Sequence, residues 1–308
     1  MYKLKQFRLA DQEAKKFLKK YKDTRDEKGQ FLLDKARAYL EEKNFILAEK
    51  FFKKLKDDFK RTEFGAQGEF GLGQVYLITN HTEDALKILT AIPDKYPDSE
   101  ITPLTYLNLG DFYYNSQQVE NAILAFKKVL EHPKVGENYG KALRYLIACY
   151  DKVQFWDKAI ALTREYLQKF PDAEDALDMK IKLGLFLMRL KEYRRAIEHF
   201  RQLLPYASDE NEAEIQFYIA QCYKEMGNFE KAASEYLKVK YLTRPTKLPW
   251  HVTALYEAGD CFARLGEIDQ ARQIFQKIIR QEGKDSNFGR FASKRLAELA
   301  QKSPTDSN

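Results

Sequence analysis
Segments of one pattern recur along the chain: ENAILAFKKVL, DKAIALTREYL, RRAIEHFRQLL, EKAASEYLKVK and DQARQIFQKII each carry alanine third and a large apolar or aromatic residue near the seventh position. Anchoring on that alanine gives Ala48, Ala85, Ala122, Ala159, Ala196, Ala232 and Ala271, at spacings of 37, 37, 37, 37, 36 and 39 residues. A fixed period of this length means stacked supersecondary units. Nine residues before each alanine stands Tyr39, Tyr76, Tyr113, Tyr150, Leu187, Tyr223 or Phe262. Three residues earlier again come Ala36, Gly73, Gly110, Ile147, Gly184, Ala220 and Gly259, small in six of the seven units. A spacing of three puts the small and the large residue on one helical face. Glycine inside a helix costs about 1 kcal/mol relative to alanine, so its repeated use points to close packing of one helix on its neighbour.

Between the two helices of each unit the sequence reads as a turn: EEKNF, LITNHT, NSQQV, KVQFW, RLKEY, EMGNF and RLGEI. Connections this short make the two helices antiparallel neighbours, and Gly227 and Gly266 stand where a left-handed residue closes a helix. Second helices end near DDFKRTE, KYPDSE and KFPDAED, where Pro97 and Pro171 stop the helix and Asp or Ser can cap the next. The pattern predicts an all-α chain: seven helix pairs over residues 29–285, an N-terminal segment 1–28, a C-terminal capping helix 286–302 and a disordered tail 303–308. In the N-terminal segment, Ala14, Lys16, Phe17, Leu18 and Tyr21 match the second-helix residues Ala48, Lys50, Phe51, Phe52 and Leu55 thirty-four residues on. This reads as a second helix without its first, either a cap or the remnant of an array continuing upstream. In FGRFASKRLAELAQK the apolar side, Phe288, Phe291, Leu296 and Leu299, is expected to cover the seventh pair.

Composition fits this picture: of 308 residues 44% are hydrophobic and 32% charged, with 14 Gly and 9 Pro, the balance of a chain rich in amphipathic helix. No stretch approaches the roughly 20 apolar residues of a membrane span, and the N-terminus has no apolar leader region. The expectation is a cytoplasmic protein, or a periplasmic one if the chain is a mature or truncated form. The net charge of +6 is local: residues 1–60 hold 18 Lys+Arg against 11 Asp+Glu, and the rest 34 against 35. The lysines come in pairs opposite an apolar stripe, which reads as a solvated helix face rather than a nucleic-acid surface.

These units resemble the tetratricopeptide repeat, with its apolar, Leu-Gly, Tyr, Ala, aromatic and Pro positions. The unit with Tyr106, Leu109, Gly110, Tyr113, Ala122 and Phe126 fits best. The resemblance implies a right-handed α-solenoid and a non-enzymatic scaffold that binds another protein. The 37-residue period exceeds the family's usual 34, and the Y-P-D-S-E junction is similar to bacterial envelope proteins of the outer-membrane assembly lipoprotein and Tol–Pal coordinator kind, without their lipid-attachment cysteine.

Candidate chemistry is thin. His81, His132, His199 and His251 lie more than forty residues apart and form no ligand pair. There is no H-E-x-x-H, no phosphate loop ending in Lys and no G-x-S-x-G, so no metal, cofactor, small-molecule substrate or catalytic residue is assigned. Cys149, Cys222 and Cys261 each precede the large residue of a first helix, an inward position where a free cysteine behaves as a small apolar group; their odd number and the absence of C-x-x-C speak against disulfides or zinc. Trp156 stands at the start of a second helix, where core is expected. Trp250 follows TRPTKLP, where the spacing stretches, and is expected to pack across that widened seam.

In the family the first helices line the concave face, at positions 2, 5, 9, 12 and 13. Carried over, the first unit offers Gln30, Leu33, Arg37, Leu40 and Glu41, and the second Gln67, Phe70, Gln74, Leu77 and Ile78. The third offers Leu104, Leu107, Asp111, Tyr114 and Asn115, and the fourth Lys141, Arg144, Asp151 and Lys152. Phe70, Leu77, Ile78, Leu104, Leu107 and Tyr114 make a stripe that needs covering, either by a partner or by adjacent repeats. Chaperone-binding members hold a carboxylate with Lys at position 5 and Asn at position 9; here Arg144 and Ala148 stand there, which speaks against that ligand. The implied partner is a protein segment, a peptide or helix anchored by apolar contacts and oriented by charge. The alternative is a structural subunit of a larger envelope or motility assembly, joined through its ends and outer face.

Overall fold
The structure, a computed structural model, describes residues 25–301 together with Gln12 and Lys16. The matching N-terminal residues 14–21 (Lys16 apart) and the tail 303–308 lie outside the described residues. Among these the chain holds fifteen α-helices and no strand. They are α1 Arg25–Glu41, α2 Phe45–Asp58, α3 Glu63–Ile78, α4 Thr82–Lys95, α5 Ile101–Asn115, α6 Val119–Glu131, α7 Asn138–Lys152 and α8 Trp156–Lys169. The remainder are α9 Ala176–Arg189, α10 Tyr193–Leu203, α11 Asp209–Glu225, α12 Phe229–Leu242, α13 Trp250–Arg264, α14 Ile268–Glu282 and α15 Asn287–Gln301. The chain divides into two compact units, residues 1–153 and 154–308, with the boundary in the turn of the fourth pair.

One local device builds every pair. The seven anchor alanines are all 0% exposed, as suits a small side chain on the buried face of each second helix. At each inter-helix turn the same residue has positive φ: Lys43, Asn80, Gln117, Gln154, Lys191, Gly227 and Gly266, between 60° and 82°. The next residue's N–H then donates back across the turn, as from Asn44 to the Tyr39 carbonyl (2.8 Å) and from Gln118 to that of Tyr113 (2.8 Å), satisfying carbonyls at the helix end. Asn44 and Asn228 cap their second helices by accepting from the amides of Leu47 and Lys231.

In the first unit α1/α2, α3/α4 and α5/α6 pack as antiparallel pairs, and α7 packs on α6. Gly110 shows why a small residue is needed: a Cβ there would stand 2.7 Å from Cδ1 of Phe126, inside contact distance. The Phe126 ring has 0% exposure and stacks on Tyr145 of α7 with centroids 4.8 Å apart, so it ties its own pair to the next helix.

The second unit repeats the arrangement. Gly184 faces Phe200, whose ring stacks on Tyr218 at 5.6 Å. The stretched connection before α13 is held by Glu210, whose carboxylate accepts the amides of Lys247 (3.0 Å) and Leu248 (2.9 Å). Trp250 packs on Phe217 (5.3 Å) and Tyr218 (6.0 Å), across the seam as expected. Trp156 is half-buried. In α15, Leu299 is buried and Phe288 and Leu296 pack against the core, but Phe291 differs from the expectation and is 57% exposed. The buried stripe runs through Gly289, Ala292 and Leu299, at helical spacing, and residue 291 falls off it.

Cys149, Cys222 and Cys261 are buried with free thiols. Burial pushes them up to about 11, about 12 and about 11 respectively.

Candidate functional site
The candidate groove residues all lie in the first unit, on α3, α5 and α7. Phe70 and Leu107 are 6% and 8% exposed, and this corrects their assignment to an open groove. Phe70 is enclosed by Leu89 and Ile92 of its own second helix and by Ile101 and Leu109 of α5, so its side chain is spent on holding neighbouring pairs together. Leu77 and Leu104 are half-buried against the same cluster. Gln74, Asp111 and Tyr114 are also half-buried, and Lys141 and Arg144 are exposed. Ile78 is 53% exposed, a large apolar side chain left open at the end of α3.

Two contacts tie carried-over positions of successive first helices together. Arg37 donates from Nη2 to Oε1 of Gln67 at 3.5 Å, joining α1 to α3. The Lys152 ammonium stands 4.7 Å from the Tyr114 ring centroid, joining α7 to α5 by a cation–π contact. Among the first-helix side chains of this unit, Ile78 is exposed and Leu77 and Tyr114 are half-buried, with the Lys152 ammonium against the Tyr114 ring.

The histidines are used locally. His132 donates from Nε2 to the Pro97 carbonyl (2.8 Å), His199 to that of Lys180 (2.7 Å), and His251 pairs with the Thr243 hydroxyl (2.9 Å). Among the described residues no group of three or more His, Cys, Asp or Glu is placed to hold a metal ion, and no helix is long and apolar enough to cross a membrane.

The second unit carries a charged cluster that the sequence reading missed. Lys224 of α11 pairs with Glu257 of α13 and stands 3.8 Å from Asp260. Arg264 bonds Asp260 at 3.0 Å, and Arg295 of α15 bonds both Asp260 and, at 2.5 Å, Glu298. Burial pushes the Asp260 carboxyl up, but the Arg264 hydrogen bond and the charges of Arg295 and Lys224 outweigh it and hold it below its ordinary value. The signal is in the sequence: Lys224, Asp260 and Arg264 occupy positions 12, 9 and 13 of the sixth and seventh units.

Models of the tetratricopeptide repeat match residues 104–131, 181–246 and 253–284. Over those residues the helix pairs match the tetratricopeptide repeat. The chain is 24% identical over 249 residues to a tetratricopeptide repeat protein 21 homolog of Caenorhabditis briggsae, covering 67% of this chain and 18% of that one, so it spans under a fifth of the relative's length. Among solved structures, Naa15/Naa10 bound to HypK-THB is similar with a TM-score of 0.63 at 13% identity, over 91% of this chain and 40% of that chain. A tetratricopeptide repeat protein from Parabacteroides merdae gives 0.48 at 15% identity, over 88% and 98%. The fold class is all-α, built from antiparallel helix pairs.

Proposed function
We propose that the chain is a non-catalytic scaffold that binds a peptide or helix of a partner protein on the first-helix face of residues 25–153. The tetratricopeptide fold is a protein-interaction scaffold, which supports the class of function. The observation that carries the finer reading is Ile78, 53% exposed, with half-buried Leu77 beside it on a face that also carries the Tyr114–Lys152 pair. Large apolar groups placed open beside charge suit an interface with an apolar centre and a polar rim.

A photo-activated cross-linking side chain at Ile78 or Tyr114, compared with one at Ile46 or Leu124, tests this. The last two are 81% and 60% exposed on second helices. Covalent adducts with one partner protein from Ile78 and Tyr114 alone support the reading. Adducts from Ile46 and Leu124 alone reject it and favour assembly through the outer face.

A further inference from the structure
We infer that the second unit holds a separate docking cleft, between α13 and α15, for a partner segment that presents an acidic side chain next to a large apolar or aromatic one. The cleft has a volume of about 310 Å³, and its aromatic wall is Tyr256 and Phe291, with ring centroids 6.5 Å apart. It is distinct from the first-helix face of residues 25–153 and does not depend on it.

The wall itself carries three cations, Lys224, Lys294 and Arg295, and three carboxylates, Glu257, Asp260 and Glu298, and Arg264 from outside the lining adds a fourth cation on Asp260, which leaves Lys294 without a carboxylate among the described residues. Glu257, Asp260 and Glu298 are each held by Lys224, Arg264 or Arg295, so three carboxylates and three cations neutralise one another. Lys294 lines the same cleft, is exposed, and makes no ion pair with any described residue. A carboxylate entering here meets that ammonium without displacing an existing partner, whereas an entering cation meets only carboxylates already taken. The neutralised network also fixes the wall: Arg295 is clamped between Asp260 and Glu298 and cannot swing to another anion without breaking both bonds.

Phe291 decides that the ligand is more than an anion. Its ring is 57% exposed although residues 289, 292 and 299 of the same helix are buried, so it adds apolar surface at the mouth of the cleft. An isolated surface ion pair contributes little to binding. A neighbouring apolar group on the ligand, laid against Phe291 and Tyr256, supplies the rest by removing that surface from water.

The test uses the full isotope-labelled chain and capped hexapeptides, read by backbone amide shifts in a titration. The probe is Gly-Ser-Asp-Phe-Leu-Ser, with controls carrying Asn for Asp or Ala for both Phe and Leu, and sodium acetate as a bare carboxylate. We expect saturable shifts at Tyr256, Phe291 and Lys294 with the probe, and binding about fivefold weaker with either control peptide, the scale of a single partly enclosed contact. K294E is expected to lose the acidic probe and gain a Lys-for-Asp peptide, and F291A to bind more weakly. Both substituted side chains are exposed, so melting should match the unsubstituted chain, which separates lost binding from lost fold. Equal binding of the Asp and Asn peptides, shifts reproduced by acetate alone, absence of shifts at these residues, or K294E behaving as the unsubstituted chain would each overturn the inference.

Discussion

Gly110 and Phe126 stand so close that a single methyl group on the first would overlap the ring of the second. Because the ring is also stacked on Tyr145, it has no free direction in which to retreat. Gly110→Ala should therefore destabilise the chain by about 1 to 2 kcal/mol, an overpacking cost of about 1 to 3 kcal/mol partly offset by alanine's better helix propensity. Gly110→Leu should cost more. Urea-unfolding midpoints measure this, with Leu124→Ala, on an exposed side chain, as the unchanged reference. A Gly110→Ala midpoint equal to that reference would refute the packing role.

The left-handed turn residues give the opposite sign. Gln117 and Lys191 hold φ values of 63° and 60° without being glycine, a conformation that costs a residue with a side chain roughly 1 kcal/mol. Gln117→Gly should raise stability by a few tenths of a kcal/mol up to about 1, the relief of strain less the entropy that glycine adds to the unfolded chain. Gly227→Ala, at the equivalent turn with φ 75°, should lower it by a similar amount. Thermal melts of the pair decide whether the turns carry strain.

The thiols should be inert in the native state. Burial raises all three, so their thiolate fraction near neutral pH is small and access is closed. A polar disulfide reagent at pH 8 should label none on the timescale that labels all three in urea. The sign of the linkage is also fixed: an acid raised on folding leaves stability intact below its unfolded pKa and erodes it above, because the unfolded chain releases a proton that the folded one keeps. Stability should accordingly fall as pH rises from about 8.5 toward 11, and less in a triple Cys→Ala variant.

Phe70 and Tyr114 separate core from face. Phe70→Ala should cost about 3 to 5 kcal/mol, as expected for a buried aromatic ring, and reduce binding only by unfolding the chain. Tyr114→Ala should cost under about 1 kcal/mol, by losing a partly exposed cation–π contact with Lys152, while weakening the cross-linked partner complex. If the two variants melt alike, the division drawn between them is wrong.

Asp260 makes unit two acid-sensitive. Its carboxyl is held below its ordinary value by Arg264, Arg295 and Lys224 against the effect of burial. A depressed acid contributes stability that is present above its unfolded pKa, near 4, and is lost as pH falls through the lower folded value. The denaturation midpoint should drop on acidification below about pH 4, and that drop should shrink in Asp260→Asn, whose midpoint at pH 7 should already be lower. Parallel pH profiles in the two proteins would refute the coupling.

What could be read from the sequence follows from which constraints are periodic. The alanines at 48, 85, 122, 159, 196, 232 and 271 are visible because each solves the same steric problem, and all seven are fully buried. Gly110 and Gly184 were legible for the same reason. Four of the first five positive-φ turn residues were not, because Lys43, Gln117, Gln154 and Lys191 carry no chemical mark of the conformation the turn imposes. The groove assignment failed at Phe70 because a position number gives the direction of a side chain but not how closely the next helix follows. Phe291 failed similarly, since an apolar residue one place off the buried stripe looks like part of it. The Lys224–Asp260–Arg295 cluster joins residues 35 and more apart in sequence, each unremarkable alone.

The helix α3 has glycine at 65, 68, 71 and 73, and a Cβ at any of them would collide with the backbone of α2 or its following turn, with Phe52 or with Leu89. Four glycines weaken a free helix by about 4 kcal/mol relative to alanine, so this segment has almost no tendency to coil by itself. It becomes helical only against a partner already in place. The second repeat is thus a dependent one: it cannot nucleate folding, and an opening that releases α2 must melt α3 with it. Cooperativity in this part of the array is written into one poor helix, which makes two adjacent repeats fold and unfold as a single event where better helices would have let each fray alone.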